Sequence, residues 1–305
     1  MPRAARQATA AVEIAGVAIT HPDKVLWPDA GVTKLELARY YERLWPVLQR
    51  YVAARPLTLR PFPRGITGGS YYLKNAPAQA PAWLPTWTDV PASTGRPVRF
   101  VVGGELRTQI WCVQYNAIEV HPWLSRIDAP DLPDWAVVDL DPGERTPFAL
   151  VVRAAKAVGR ELARQGLAGY PKLSGSSGIH VYLPLERVHS FEAVRAWMHA
   201  LAERLCAAAP ETLTLDYDVA DRHDLVLIDY AQNARGKNTV APYSVRPKPG
   251  APVSAPIRWE ELDDPDLRPG RWTLRTLPAR LEQIGDLFAP ALERPQRLPG
   301  AATVA

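Results

Sequence analysis

Residues 135–142 read Trp-Ala-Val-Val-Asp-Leu-Asp-Pro. The apolar run is of strand length, its valines favour an extended backbone, and Pro142 stops it by lacking an N–H. Side chains alternate faces along a strand, so Asp139 and Asp141 project from the same face. Two carboxylates held side by side repel each other unless a cation lies between them or one is protonated. Oxygen donors of this kind suit Mg²⁺ or Mn²⁺. The alternative is an exposed strand end carrying two solvated carboxylates.

Working outward, residues 147–165 place apolar side chains at helical spacing and end at Gly166, a C-cap residue. Residues 179–185 read as a second strand, 190–210 as a helix N-capped by Ser190, and 224–230 as a buried strand. Strand–helix–strand order predicts an α/β unit. Upstream, 17–27 reads as a strand and turn. Thr33 with Glu36 forms a capping box for an amphipathic helix to residue 52, which Pro46 kinks or divides. Residues 56–60 and 98–102 read as strands, 108–117 as a helix, and 259–262 as a short helical turn.

The chain has 305 residues, 47% hydrophobic, enough for a sizeable core. A net charge of +4 permits a polyanionic partner without demanding one. Cys112 and Cys206 are far apart, which gives no disulfide framework and no zinc signature. No signal-peptide pattern and no long apolar run is present, so the sequence reads as soluble and intracellular. The 31 prolines are scattered through loops, which argues for one domain over residues 16–292 with loose tails at 1–15 and 293–305.

Several groups could act with the Asp pair. Asp229 closes the strand Leu-Val-Leu-Ile-Asp, and a third carboxylate on a neighbouring strand is what a site for two metals about 3.5–4 Å apart requires. Residues 174–180, Ser-Gly-Ser-Ser-Gly-Ile-His, can form a phosphate nest or a plain polar turn, and His180 could donate to a phosphate. Arg235, Lys237, Ser244 and Arg246 could neutralise phosphates, as could Arg222. Glu119 and His121 could share a strand face. Arg60, Arg64 and Lys74 flank Tyr71 and Tyr72, a pattern that suits nucleic acid or simple aromatic packing. Lys24 and Lys34 lie either side of a turn and could be ordinary solvated charges.

Seven stretches in order carry a resemblance: HPDKVLWP (21–28), RPLTLRPFPRGI (55–66), SYYLKNAP (70–77), EVHPWLSR (119–126), VVDLDPG (137–143), SGSSGIHVYLPL (174–185) and IDYAQNARGKNTVAPYSVR (228–246). Together they resemble the polymerase domain of bacterial ligase D, the non-homologous end-joining branch of the archaeo-eukaryotic primase superfamily. The match runs from about residue 17 to about residue 282.

The resemblance implies an α/β (α+β) fold in which a primase-like catalytic sheet is combined with an RRM-like unit, in mixed and antiparallel sheets flanked by helices. It implies DNA-dependent addition of ribo- or deoxyribonucleotides to a 3′ end with Mn²⁺ or Mg²⁺ during end joining or gap filling. By position, Asp139, Asp141 and Asp229 correspond to the metal-binding catalytic triad. His121, Ser174, His180, Lys237, Ser244 and Arg246 correspond to contacts with the incoming nucleoside triphosphate. Lys24 and Lys34 correspond to the pair that holds a 5′-phosphate. Tyr71 and Tyr72 replace a Phe-Phe pair that stacks at the template, with Arg60 and Lys74 beside them. Arg222 matches an arginine on a mobile loop. The implied partners are DNA with 5′-phosphorylated gaps or ends, Ku and a DNA ligase, with no membrane. The implied location is the bacterial cytoplasm or nucleoid.

Ser177 stands where the phosphate loop of this family usually carries a lysine, so one positive charge is missing there. No KxDG nucleotidyl-lysine motif is present, and the two tails read as those of a stand-alone polymerase rather than a domain cut from a larger ligase. Two other readings remain open: a primase-polymerase that starts chains de novo, and a DNA-end-bridging module with little catalysis.

Overall fold

The computed structural model describes residues 10–304 apart from 92–93, 219–221 and 223. The chain opens with two short antiparallel hairpins, β1 (Val12–Ile14) with β2 (Val17–Ile19) and β3 (Val25–Trp27) with β4 (Val32–Thr33). Thr33 caps α1 (Lys34–Val52): its hydroxyl accepts the Glu36 N–H at 3.2 Å. Leu37, Tyr41, Leu44, Leu48 and Tyr51 form the buried stripe of that helix. The helix runs through Pro46 undivided. Next come β5 (Pro56–Pro61), β6 (Thr86–Asp89), β7 (Val98–Val102), α2 (Leu106–Gln114) and β8 (Ala117–Pro122). The four strands form an antiparallel sheet in the order β6-β7-β5-β8.

The second half contains β9 (Trp135–Pro142), α3 (Phe148–Arg164), β10 (Tyr170–Leu173), β11 (Ile179–Pro184), α4 (Phe191–Ala208), β12 (Leu213–Thr214) and β13 (Val226–Asp229). Its sheet order is β10-β11-β9-β13-β12. Without the short edge strand β12, the chain order is β-α-β-β-α-β, the split βαβ topology of an RRM-like unit. The pleat of β9 then divides its side chains. Ala136, Val138 and Leu140 pack into one core with Val151, Ala155 and Val158 of α3 and with Val194, Met198 and Leu201 of α4. Trp135 and Val137, on the opposite face, join the core of the first half. Asp139 and Asp141 continue that second face past the point where the core ends.

Three expectations need correction. Helix α2 covers 106–114 rather than 108–117, because Asn116 turns the chain at φ 65° and Ala117 already belongs to β8. The N-terminal segment is not loose throughout: residues 12–14 pair in a hairpin, while 1–9 lie outside the described residues. The C-terminal segment is docked. After α5 (Leu277–Ile284) and α6 (Ala289–Glu293), Gln296 bridges beside Leu185, its side chain holds both backbone groups of Ala168, and Leu298 is buried. Burial of Leu298 and these backbone hydrogen bonds offset the entropy of ordering the segment. Residue 305 lies outside the described residues.

Candidate active site

Register places the carboxylates. Asp229 on β13 pairs directly with Asp139 on β9, and His180 on β11 pairs with Asp139 from the other side. Lys172 on β10 pairs with His180. Directly opposed residues point to the same face, so Lys172, His180, Asp139 and Asp229 form one row across four strands. Asp141 stands two residues along β9 from that row, on the same face.

Burial, with Asp141 and Asp229 nearby, pushes the Asp139 carboxyl up to about 7. Burial also raises Asp141, against the pull of Arg222. These are oxygen donors whose mutual repulsion a divalent cation would relieve. The donor set therefore fits Mg²⁺ or Mn²⁺, held by Asp139, Asp141 and Asp229. Among the described residues no three acidic or histidine side chains close into a ready cage. Each carboxylate has a protein partner instead. His180 Nε2 lies 3.3 Å from Asp139, and Arg222 lies 3.4 Å from Asp141. Asp229 accepts from the Tyr217 hydroxyl at 2.9 Å and from the Gln232 amide at 2.7 Å.

Asp139, His180 and Asp229 of the row, with Asp141, floor a cleft of about 470 Å³ between the two sheets. Tyr72, Lys74 and His121 line it from the first half; Lys237 and Arg246 line it from the loops after β13. Ser174, Ser176 and Ser177 of the serine–glycine loop line it too. Within that loop the Ser174 hydroxyl oxygen accepts the N–H groups of Ser176 at 3.1 Å and Gly178 at 2.9 Å. Those two amides are therefore spent inside the turn. Ser174 retains its O–H to offer a phosphate. Burial drives both His121 and His180 below the ordinary histidine range, so both are neutral near pH 7.

Other expected residues lie elsewhere. Ser244 is fully buried; its oxygen accepts the Val120 N–H at 3.0 Å, a structural role away from the cleft. Arg235 is committed to Asp89 and Asp131. Arg222 is turned inward onto Asp141 and the carbonyls of Asp216 and Tyr217. Tyr71 and Arg60 stand outside the cleft lining, while Tyr72 is 62% exposed within it. Lys24 and Lys34 form a separate site. Lys24 donates to the carbonyl of Pro63 and the side-chain oxygen of Asn116, both at 2.6 Å. Lys34 donates to Thr20 O at 3.2 Å and Gln114 Oε1 at 2.8 Å. Neither has a carboxylate partner among the described residues. Burial and then the charge of Lys24 push Lys34 down to about 8.

One residue of the site was not singled out from sequence, and another was paired there only with His121. Lys172 is wholly buried, 3.0 Å from His180 Nδ1 and 2.6 Å from the Ser254 hydroxyl. A lysine inside the strand Tyr-Pro-Lys-Leu was the available signal, but only register shows what it meets. Glu119 is buried beneath the cleft among Arg60, His121 and Arg246.

Comparison with known proteins agrees with this geometry. Residues 33–288 match the family model described as LigD, primase-polymerase domain. The multifunctional non-homologous end joining protein LigD of Pseudomonas aeruginosa is 33% identical over 98% of this chain and 36% of its own length. The corresponding protein of Mycolicibacterium smegmatis is 34% identical over 90% of this chain and 36% of its own. The chain thus spans little more than a third of these relatives. The polymerase domain of Mycobacterium tuberculosis ligase D, solved in complex with DNA, superposes with a TM-score of 0.86 at 32% identity, covering 92% of this chain and 99% of that one. A carboxylate row on an RRM-like sheet, matched over nearly the whole chain in sequence and in fold, places this protein in the LigD primase-polymerase domain family.

Proposed function

We propose that this chain is a template-directed nucleotidyltransferase that adds ribo- or deoxyribonucleotides to a 3′ end at DNA gaps or broken ends. The observation that supports it most is the convergence of Asp139, Asp141 and Asp229 under a cleft lined by His121, His180, Lys237 and Arg246. Two bound divalent ions, Mg²⁺ or Mn²⁺, would activate a 3′-hydroxyl and neutralise the triphosphate. The chain supplies the rest. The three aspartates fix where charge accumulates. Lys237, Arg246 and the Ser174 hydroxyl orient phosphates. Tyr72 offers a face for a template base, with Lys74 beside it. Sealing and end recruitment would fall to a DNA ligase and to Ku. A DNA substrate sets the work in the bacterial cytoplasm, at the nucleoid. No helix among the described residues is long and apolar enough to cross a membrane.

Primer extension on a gapped duplex tests the reading. Extension that requires both primer and template is expected. Products from template alone would instead favour a primase, and absence of any extension with either metal would leave only end bridging.

Lys24 and Lys34 present two close cations with no carboxylate partner among the described residues, which suits the 5′-phosphate across a gap. Lys24→Ala with Lys34→Ala should lower affinity for a 5′-phosphorylated gap by about tenfold, on the scale of one or two charge-assisted contacts, and leave a 5′-hydroxyl gap unchanged. The advantage should also depend on pH. Lys34 is charged below about 8 and loses its proton above it. The preference for 5′-phosphate should therefore hold at pH 7 and fade towards pH 9. Equal losses on the two substrates, in fluorescence anisotropy titrations, would contradict the assignment.

A further inference from the structure

Glu119 is 1% exposed, yet two arginines and a histidine converge on it. Arg60 Nη1 lies 3.2 Å from Oε2, and His121 Nε2 lies 3.4 Å from the same oxygen. Arg246 Nε lies 2.8 Å from Oε1. The last two are close approaches without hydrogen-bond alignment: His121 Nε2, Arg246 Nε and Glu119 Oε1 all remain buried without a hydrogen bond. The hub is thus close but incompletely satisfied.

The three partners come from different places. Arg60 sits directly across the sheet from Glu119, on β5, and His121 is two residues along β8. Arg246 arrives from the loop after β13. Arg60 also reaches the aromatic loop: its Nε donates to the Ser70 hydroxyl at 3.1 Å, and its guanidinium lies 5.2 Å from the centre of the Tyr72 ring. Tyr72 in turn meets the His121 ring edge-on at 6.3 Å. One buried carboxylate therefore holds both the support of the exposed aromatic platform and two residues of the cleft wall.

We propose that Glu119 is a positioning residue that couples occupancy of the Tyr72 platform by a template base to occupancy of the cleft by a nucleoside triphosphate. The proposal rests on the functional reading above. A base stacked on Tyr72 fixes Arg60 and His121 against Glu119, and that ordering holds the carboxylate that aligns Arg246. A triphosphate that engages Arg246 then meets a guanidinium already placed. Each ligand orders the same hub, so the second one bound has less disorder to remove. By linkage, the triphosphate must tighten template binding by the same factor.

The test is equilibrium binding of a fluorescent nucleoside triphosphate to the full chain, with and without a template–primer duplex, in Ca²⁺ so that no turnover occurs. The ratio of the two dissociation constants is the readout. It does not depend on the fraction of folded protein, so a merely structural defect would not move it. Wild type should bind at least about fivefold tighter with the duplex, at the lower edge of ordinary coupling. Glu119→Gln keeps the shape and removes the charge, and its ratio should fall towards one. Arg60→Gln, at a half-exposed position, should do the same and serves if the buried variant does not fold. A variant ratio within about twofold of wild type would overturn the proposal, as would a wild-type ratio of one. Absence of nucleotide binding by wild type in both arms would instead overturn the functional reading itself.

Discussion

Asp139→Asn should abolish primer extension while making the metal-free protein more stable at neutral pH. Loss of activity by at least about 10²–10³-fold is expected, the scale on which one preorganised electrostatic group acts. The stability change has the opposite sign. Asp139 titrates near its ordinary 3.8 when unfolded and at about 7 when folded. A folded value raised above the unfolded one contributes stability that is present below pH 4 and lost as pH rises through 7. At roughly 1.4 kcal/mol per pKa unit, the penalty at neutral pH is on the order of 4 kcal/mol. The metal-free wild type should therefore melt progressively lower from pH 5 to pH 7.5. The asparagine variant, which has no charge to bury, should melt several degrees higher at pH 7.5, with the gap narrowing through pH 5 and closing near pH 4. Parallel melting curves across that range would show that Asp139 carries no such strain. The stored repulsion is what a divalent cation would relieve, so function and stability are set against each other at this position.

Gly178→Ala should be nearly as damaging, although glycine 178 carries no chemistry. A Cβ there would collide with the Leu140 carbonyl oxygen. Leu140 lies between Asp139 and Asp141, and β11 pairs with β9 at this point. The added methyl must push the strands apart or shift the two carboxylates. Overpacking of this kind costs about 1–3 kcal/mol, and a displacement near 1 Å can cost about a hundredfold in rate. Gly69→Ala, where nothing lies within 4 Å of the new carbon, should melt and extend primers as wild type does. Full activity and an unchanged melting temperature for Gly178→Ala would show that the β9–β11 contact tolerates separation. The glycine of the serine–glycine loop is thus required by strand contact as much as by any phosphate.

How much of this was readable in the chain depended on range. The local signals were clear: the Asp-Leu-Asp alternation, the Thr33 cap, the amphipathic helices and the strand that Asp229 closes. Pro46 does not divide α1, because in a helix held by a long buried stripe tertiary packing outweighs the lost hydrogen bond. Ser244 and Arg235 misled because residue type shows what a side chain can do, whereas burial and nearby acids decide what it does. Lys172 escaped because its partners lie elsewhere in the chain, and Glu119 was read only with its strand neighbour His121 because Arg60 and Arg246 come from other segments; register is set by pairings far apart in sequence. The docked residues 296–304 looked loose because their anchors, Gln296 and Leu298, are single side chains without periodicity.

The row that crosses β10, β11, β9 and β13 has a polarity. It begins with the buried amine of Lys172, passes the imidazole of His180, and ends in the carboxyl groups of Asp139 and Asp229. Four strands at the usual spacing make it about 14 Å long. Such a row grades from nitrogen groups to carboxyl groups through the backbone register rather than through mobile side chains. A nucleoside triphosphate is itself lopsided, anionic at one end and neutral at the other. On the proposed reading its tail would lie by the serine–glycine loop between β10 and β11, which lines the cleft, leaving the β13 side for an incoming hydroxyl. The direction in which a strand would grow is, on that reading, set by the order of the strands.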